Sequence, residues 1–172
     1  MILSFNLFEH KTPTRFAQRI IDGLHQHKLI DTDDQTDLKK EFAWRFPDAG
    51  GTMAPVHGDT KLHTIREDAA DRWAPGRDIH FTVKPYHPDR HQFAPVLQVV
   101  SIQKIKLIYH HGITAQVDGE TLGLLLFAEL VQNDGFDTEL EFVEYFFPDH
   151  SVTEETVRTF TGKLIHWTNL KY

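Results

Sequence analysis

An ammonium, a hydroxyl and a guanidinium lie close together at Lys61, Thr64 and Arg66, in the stretch Gly58 to Val83 that reads GDTKLHTIREDAADRWAPGRDIHFTV. A hydroxyl beside an amine of lowered pKa can act as a nucleophile. A guanidinium offers a rigid fork of donors to an anion or a nucleobase. Lys61, His63 and Ile65 alternate with Leu62, Thr64 and Arg66, and this period of two predicts an extended segment. Leu62, Thr64 and Arg66 then share one face. A regular strand sets Lys61 and Thr64 on opposite faces, so their meeting requires a bulge or a late strand start. In a purely structural role Lys61 and Arg66 would neutralise Glu67 or Asp68, and Thr64 would be a plain β-former. His63 and Trp73 could stack a base, although a Trp just before Pro75 more often packs in a core or at an edge.

The flanking elements must position these groups. Pro75-Gly76 suits a type II turn, after which Ile79, Phe81 and Val83 share one face of a strand. Met1 to Asn6 reads as a first strand. Thr12 before Pro13 reads as the cap and first residue of a helix that aligns Phe16, Ile20, Ile21 and Leu24. Asp31 to Phe46 predicts a second helix, capped near Thr32 or Asp33, with Leu38, Phe42 and Phe46 four residues apart. Pro47 to Asp59 is a Gly/Pro loop, expected to be mobile. In the β-rich stretch Phe93 to Tyr109 the apolar side switches near Gln103, which predicts a bulge or bend. A hairpin turning at Asp118-Gly119 and an apolar helix over Leu122 to Gln132 with Gly135 beyond its end follow. A helix capped at Asp137 or Thr138 comes next, with Leu140, Val143 and Phe147 inward, and Thr161 to Leu170 is a closing strand.

A chain of 172 residues with 40% hydrophobic content fits a single domain over 1–172 with an ordinary core. The absence of cysteine excludes disulfides, thiol nucleophiles and thiolate zinc sites. No apolar run is long enough for a membrane span and no signal peptide is evident, so a cytoplasmic location without membrane partners is expected. The net charge is −7, unevenly spread. Residues 112–157 hold 11 of the 25 acids and no Lys or Arg, leaving all 18 bases against 14 acids elsewhere. A locally basic face is therefore possible, but a non-specific grip on duplex DNA is not favoured. Of the 12 histidines, His87 and His91 are four apart but Pro88 interrupts them, and His110 and His111 would point to opposite faces of a strand. No metal and no cofactor is expected.

Lys61, Thr64, Arg66, Gly76 and Asp78 resemble the activating signal cointegrator homology (ASCH) domain, a branch of the PUA-like superfamily. The family core is Gly-x-Lys-x-x-Thr-x-Arg followed by a Pro-Gly-Asp-like turn, and here Gly58 stands one residue too far from Lys61. Family members place an amphipathic helix ending in Gly before the Lys, matched here by Thr14 to Gly23, with residues 24–57 as an insertion. That insertion is either a packing embellishment or a lid beside Lys61. The resemblance implies an α+β fold, a small open PUA-like β-barrel with flanking helices, its cleft lined by the Lys-x-x-Thr-x-Arg strand. It also implies that RNA or a nucleoside-like ligand binds at Lys61, His63, Thr64, Arg66 and Trp73. Some ASCH proteins hydrolyse acylated cytidine with the motif Lys, the motif Thr and a Glu from the later helical region. Asn133 falls where that Glu would be when the following helix sets the alignment, so the carboxylate role passes to Glu129 or to Asp134. The alternatives are therefore a nucleoside or RNA binder, an amidohydrolase using Lys61, Thr64 and Glu129, and a protein-interaction module using the acidic 112–157 face. The oligomeric state is not legible.

Overall fold

Leu3 and Phe5 turn inward and Ile2 and Ser4 outward along strand β1 (Ile2–Phe5), the alternation of a half-buried strand. The computed structural model describes residues 1–9, 11–49, 60–148 and 157–172. His10, His57, Gly58, His150, residues 50–59 of the Gly/Pro loop, and Asp149, Glu154 and Glu155 lie outside the described residues.

The first helix begins later than the Thr12-Pro13 signal predicts. Thr12–Pro13 is a short strand, β3, paired with β2 (Phe8–Glu9). Thr14 Oγ1 donates to the Asn6 carbonyl at 2.6 Å, and Arg15 takes a left-handed φ of 56°. Those two residues turn the chain, and α1 (Phe16–Gln26) starts only beyond them. It buries Phe16, Ala17, Ile20, Ile21 and Leu24. Gly23 lies inside α1 rather than ending it. A Cβ there would stand 2.8 Å from Leu62 Cδ2 and 3.1 Å from the Lys61 carbonyl, so the glycine serves close helix-to-strand approach. Helix α2 (Thr32–Arg45) is capped by Asp31, whose carboxylate accepts from Asp34 N–H at 2.8 Å. Phe42 and Phe46 on it are buried, and the Phe42 ring meets Phe93 edge-on at 6.0 Å. The described part of the 24–57 segment thus packs on the core.

The fold is α+β. One sheet, wholly antiparallel, has the order β10-β9-β8-β11-β4: β10 (Glu120–Thr121), β9 (Ile113–Val117), β8 (Ser101–Tyr109), β11 (Arg158–His166) and β4 (His63–Arg66). The other runs β1-β5-β6, with β5 (Asp78–Val83) parallel to β1 and antiparallel to β6 (His91–Gln92), and β7 (Leu97–Gln98) also pairing with β5. Among the described residues the ladders do not close into a ring. Ile79, Phe81 and Val83 of β5 are fully buried, and Phe81 meets Trp167 edge-on at 5.1 Å. The turn before β5 forms as its residues dictate: Arg77 N–H reaches the Ala74 carbonyl at 3.2 Å across Pro75 and Gly76, with Gly76 at φ 79°.

No bulge interrupts β8. Its ladder with β11 runs unbroken from Ser101↔His166 to Tyr109↔Arg158. Gln103 stays on the inward face because its amide is satisfied there. Nε2 donates to Asp118 Oδ2 (3.0 Å) and to the Tyr172 carbonyl (2.7 Å), and Oε1 accepts from Tyr172 N–H (3.0 Å).

Among the described residues two helices lie between β10 and β11. In α3 (Leu124–Asn133), Phe127, Leu130 and Val131 are buried while Leu124 and Leu125 face solvent. In α4 (Glu139–Phe146), Thr138 Oγ1 caps Glu141 N–H at 3.2 Å. Val143 and Phe147 point inward as predicted, but Leu140 is exposed and Phe142 takes the core position. Among the described residues no helix is long and apolar enough to cross a membrane.

Candidate functional site

Lys61 is one of the largest fully buried side chains in the molecule. Its backbone N–H donates to the Arg19 carbonyl (3.0 Å) and Leu62 N–H to the Asn133 carbonyl (2.8 Å), which clamps the segment between α1 and the end of α3. Regular pairing begins only at His63, so Lys61 precedes the strand as an isolated bridge to Asp134. That late start sets Lys61 and Thr64 along one cavity despite their odd spacing.

The partner carboxylate is delivered by the end of α3. Gly135 N–H bonds the Gln132 carbonyl (2.8 Å) and Phe136 N–H the Val131 carbonyl (3.2 Å), a Schellman closure with Gly135 at φ 85°. A Cβ at Gly135 would lie 3.2 Å from Lys61 Cδ and 3.3 Å from Lys61 Cβ, so the turn and the lysine stem constrain each other. Asp134, at the helix C-cap, accepts from Lys61 Nζ through Oδ1 at 2.6 Å and also through its backbone carbonyl. The ammonium also lies 4.7 Å from the Phe16 ring centre, with Phe5 and Phe136 near 6 Å. An ammonium has three donors and Asp134 takes two, leaving one for a further acceptor.

Burial lowers the Lys61 pKa from its usual 10.5 to about 8. Asp134 opposes that fall by charge and hydrogen bond, while Arg66 and Arg19 add to it. Burial raises Asp134 in turn, against Lys61, Arg66 and the Ile65 N–H. The lowered amine and the raised carboxyl bring the two pKa values towards each other, a property suited to acid–base chemistry.

Arg66 does not neutralise Glu67 or Asp68. Its Nη2 donates to the Ser4 carbonyl at 2.7 Å, its Nη1 to Tyr145 Oη at 3.3 Å, and the guanidinium stands 5.4 Å from the Phe5 ring centre. Asp68 instead pairs with Lys163 at 2.9 Å and caps the N–H groups of Arg72 and Trp73, which hold its pKa down at about 2 against the upward push of burial. Lys61, Thr64, Arg66 and Asp134 line one inner cavity with Phe16, Ile65, Phe136 and Tyr145. It leaves no space for a water-sized sphere. Two open clefts flank it. One, of about 400 Å³, lies between the start of α1 and α4 and shares Phe16, Phe136 and Tyr145; the other, of about 420 Å³, shares Ile65, Arg66 and Tyr145.

The remaining sequence candidates lie elsewhere. Glu129 is exposed on α3. Asn133 Nδ2 donates to Tyr172 Oη at 2.9 Å and does not line the cavity. Trp73 is buried in the core. His63 does not line the cavity but borders the pair, its Nε2 3.9 Å from Asp134 Oδ1, while its ring centre lies 5.3 Å from that of His166 and 5.4 Å from that of Tyr172. His110 and His111 do not splay to opposite strand faces: the chain turns there, His111 has φ 56°, and the ring centres are 4.3 Å apart. Among the described residues no three His, Cys, Asp or Glu could hold a metal ion.

Sequence reading missed Tyr145, Arg19 and the aromatic walls Phe16 and Phe136 as site residues. For Tyr145 the available signal was its place in the aromatic run of α4. Buried Arg19 donates to the Gly135 carbonyl and to Asp137, bracing the turn that presents Asp134; its helical spacing from Phe16 carried no such hint. Compared with family models, with curated proteins and with solved structures, the chain shows no match.

Proposed function

We propose that this chain is an ASCH-like domain that binds RNA or a nucleoside-like ligand at the site formed by Lys61, Thr64, Arg66 and Asp134. The observation that carries the reading is the buried Lys61–Asp134 pair, set against Thr64 and Arg66 in one cavity. A buried ion pair costs desolvation that apolar residues of similar volume would not incur. Its position beside two further polar groups and two nucleoside-sized clefts supports a binding role. The two sheets are read as halves of an open PUA-like barrel. Arg66, on edge strand β4, reaches the Ser4 carbonyl on edge strand β1, a contact that spans the sheets. The test is a titration of short single-stranded RNA and free nucleosides at two salt concentrations. Wild type is expected to bind and Arg66→Ala to bind at least about tenfold more weakly, the loss expected for a charged hydrogen-bond donor. No binding at low salt would refute the reading.

A second reading, amide hydrolysis of acylated cytidine, is favoured by the 2.6 Å contact between Lys61 and a carboxylate. The Thr64 hydroxyl would attack the acyl carbon as its proton passes to neutral Lys61. Cleavage of the C–N bond would return that proton to the departing amine, and water would then hydrolyse the acyl-threonine ester. Asp134 takes the carboxylate role that the family gives to a Glu, holding the lysine and relaying its proton. Turnover should vanish in Lys61→Ala and Thr64→Ala and persist in Glu129→Gln, because Glu129 faces solvent. Turnover surviving Lys61→Ala would eliminate this mechanism.

A further inference from the structure

Among the described residues Tyr145 is the one side chain shared by the inner cavity and both flanking clefts. It is half-buried on α4, and among the described residues its hydroxyl is anchored only by the long 3.3 Å bond from Arg66 Nη1. Its ring rests against Phe16, Phe136 and Phe146, with centres 6.1, 5.3 and 5.1 Å away. Phe16 and Phe136, the other walls shared with the cleft beside α1, are buried in the core. Tyr145 is thus the least constrained of the three aromatic groups that separate Lys61 from that cleft.

We infer that Tyr145 controls access to Lys61 and Asp134: rotation of its ring joins the closed inner cavity to the cleft between α1 and α4. This rests on reading the Lys61–Asp134 pair as the ligand-contacting group. As it stands the inner cavity cannot take even a water-sized sphere, so any ligand that reaches Lys61 Nζ must displace a wall. Displacing Phe16 or Phe136 would open the core, whereas displacing Tyr145 loses one weak hydrogen bond and edge contacts. The joined space would be walled by Phe16, Phe136 and the swung ring of Tyr145, with Arg66 released to donate to the incoming molecule. Flat aromatic walls and freed donors suit a planar base carrying a carbonyl acceptor.

The experiment reads access directly and needs no ligand, so its outcome is independent of the nucleoside titration. Lysine acetylation by acetic anhydride at pH 8 is followed residue by residue by peptide mass spectrometry, with exposed Lys104 as internal reference. In wild type Lys61 is expected to react far more slowly than Lys104. Tyr145→Ala should raise the Lys61 rate about tenfold or more through the lost barrier to local opening. Tyr145→Phe, which keeps the packing and loses the anchor, should raise it about fivefold, the effect of one hydrogen bond. Phe160→Ala, at a ring that lines only the cleft beside Arg66 and packs on Phe146 rather than on Tyr145, should leave it unchanged. Unchanged Lys61 reactivity in Tyr145→Phe would overturn the inference, as would an equal rise in Phe160→Ala. Should Tyr145→Ala fail to fold, the Tyr145→Phe and Phe160→Ala comparison decides.

Discussion

At the scale of single residues the molecule places one carboxylate where it both steadies and tunes one amine. Removing the Asp134 carboxylate alone would strand the Lys61 ammonium in a buried site, with only the backbone carbonyl of residue 134 and aromatic faces to offset the loss. Asp134→Ala is therefore expected to cost about 3–5 kcal/mol of stability, the usual penalty for breaking a buried pair. The Lys61→Met, Asp134→Leu double variant should recover most of that, since apolar replacement of both partners removes the desolvation cost. Urea unfolding of the three proteins measures it. An Asp134→Ala loss within about 0.5 kcal/mol, typical of exposed ion pairs, would mean that the pair is hydrated and its pKa shifts are absent.

Among the elements, the end of α3 decides the site's geometry. Gly135 combines a left-handed φ with distances to the Lys61 stem at which a methyl group would fit only if the stem gave way by a few tenths of an ångström. Gly119 shares the positive φ, 95°, but has open space around it. Ala at Gly119 is expected to cost about 1 kcal/mol from backbone strain alone, and Ala at Gly135 about 2–3 kcal/mol because the lysine must also shift. Thermal melts of both variants test the difference, and equal losses would show that the Lys61 contact adds nothing. The turns at Gly76, Gly119 and Gly135 were legible in the sequence because Pro-Gly, Asp-Gly and Asn-Asp-Gly each carry a local backbone preference. Strand β4 beside Lys61 was legible from its period, though not its late start at His63, and Asp134 as one of three nearby polar residues. What selected Asp134 over Glu129 was the Schellman turn, which rotates residue 134 out of the helix while residue 129 stays on its outer face. The expected bulge at Gln103 failed for a related reason. A buried glutamine was read as a change of face, whereas its satisfying partners, Asp118 and Tyr172, lie on other segments. The Tyr145 wall and the contact of His63 with His166 join residues roughly 80 to 100 apart in sequence, and local patterning holds no record of either.

For the molecule as a whole, the buried histidines set the acid limit of stability. Burial holds His166 down to about 4, helped by Lys171 against Asp118, and holds His63 well below 6.5, helped by His166 and Lys61. In the unfolded chain both titrate at an ordinary 6.5, so between pH 6.5 and about 4 the unfolded state binds more protons than the native one. The contribution of these two histidines then falls as pH falls through that window, by up to about 1.4 kcal/mol per pH unit for each, opposed by the raised carboxyl of Asp134. Asp68 acts lower, its contribution being lost between the usual 3.8 and about 2. His166→Gln should reduce the slope between pH 6.5 and about 4 in chemical denaturation, and an unchanged slope would rule out His166 as a source. The acid–base character of the site rests on one amine at the other end of the scale. NMR of isotope-labelled lysine, titrated with and without acylated cytidine, tests it most directly. The expected result is a Lys61 midpoint near 8 whose signal and pKa both move when the nucleoside is added. A midpoint near the ordinary 10.5, with no response to nucleoside or RNA, would contradict it.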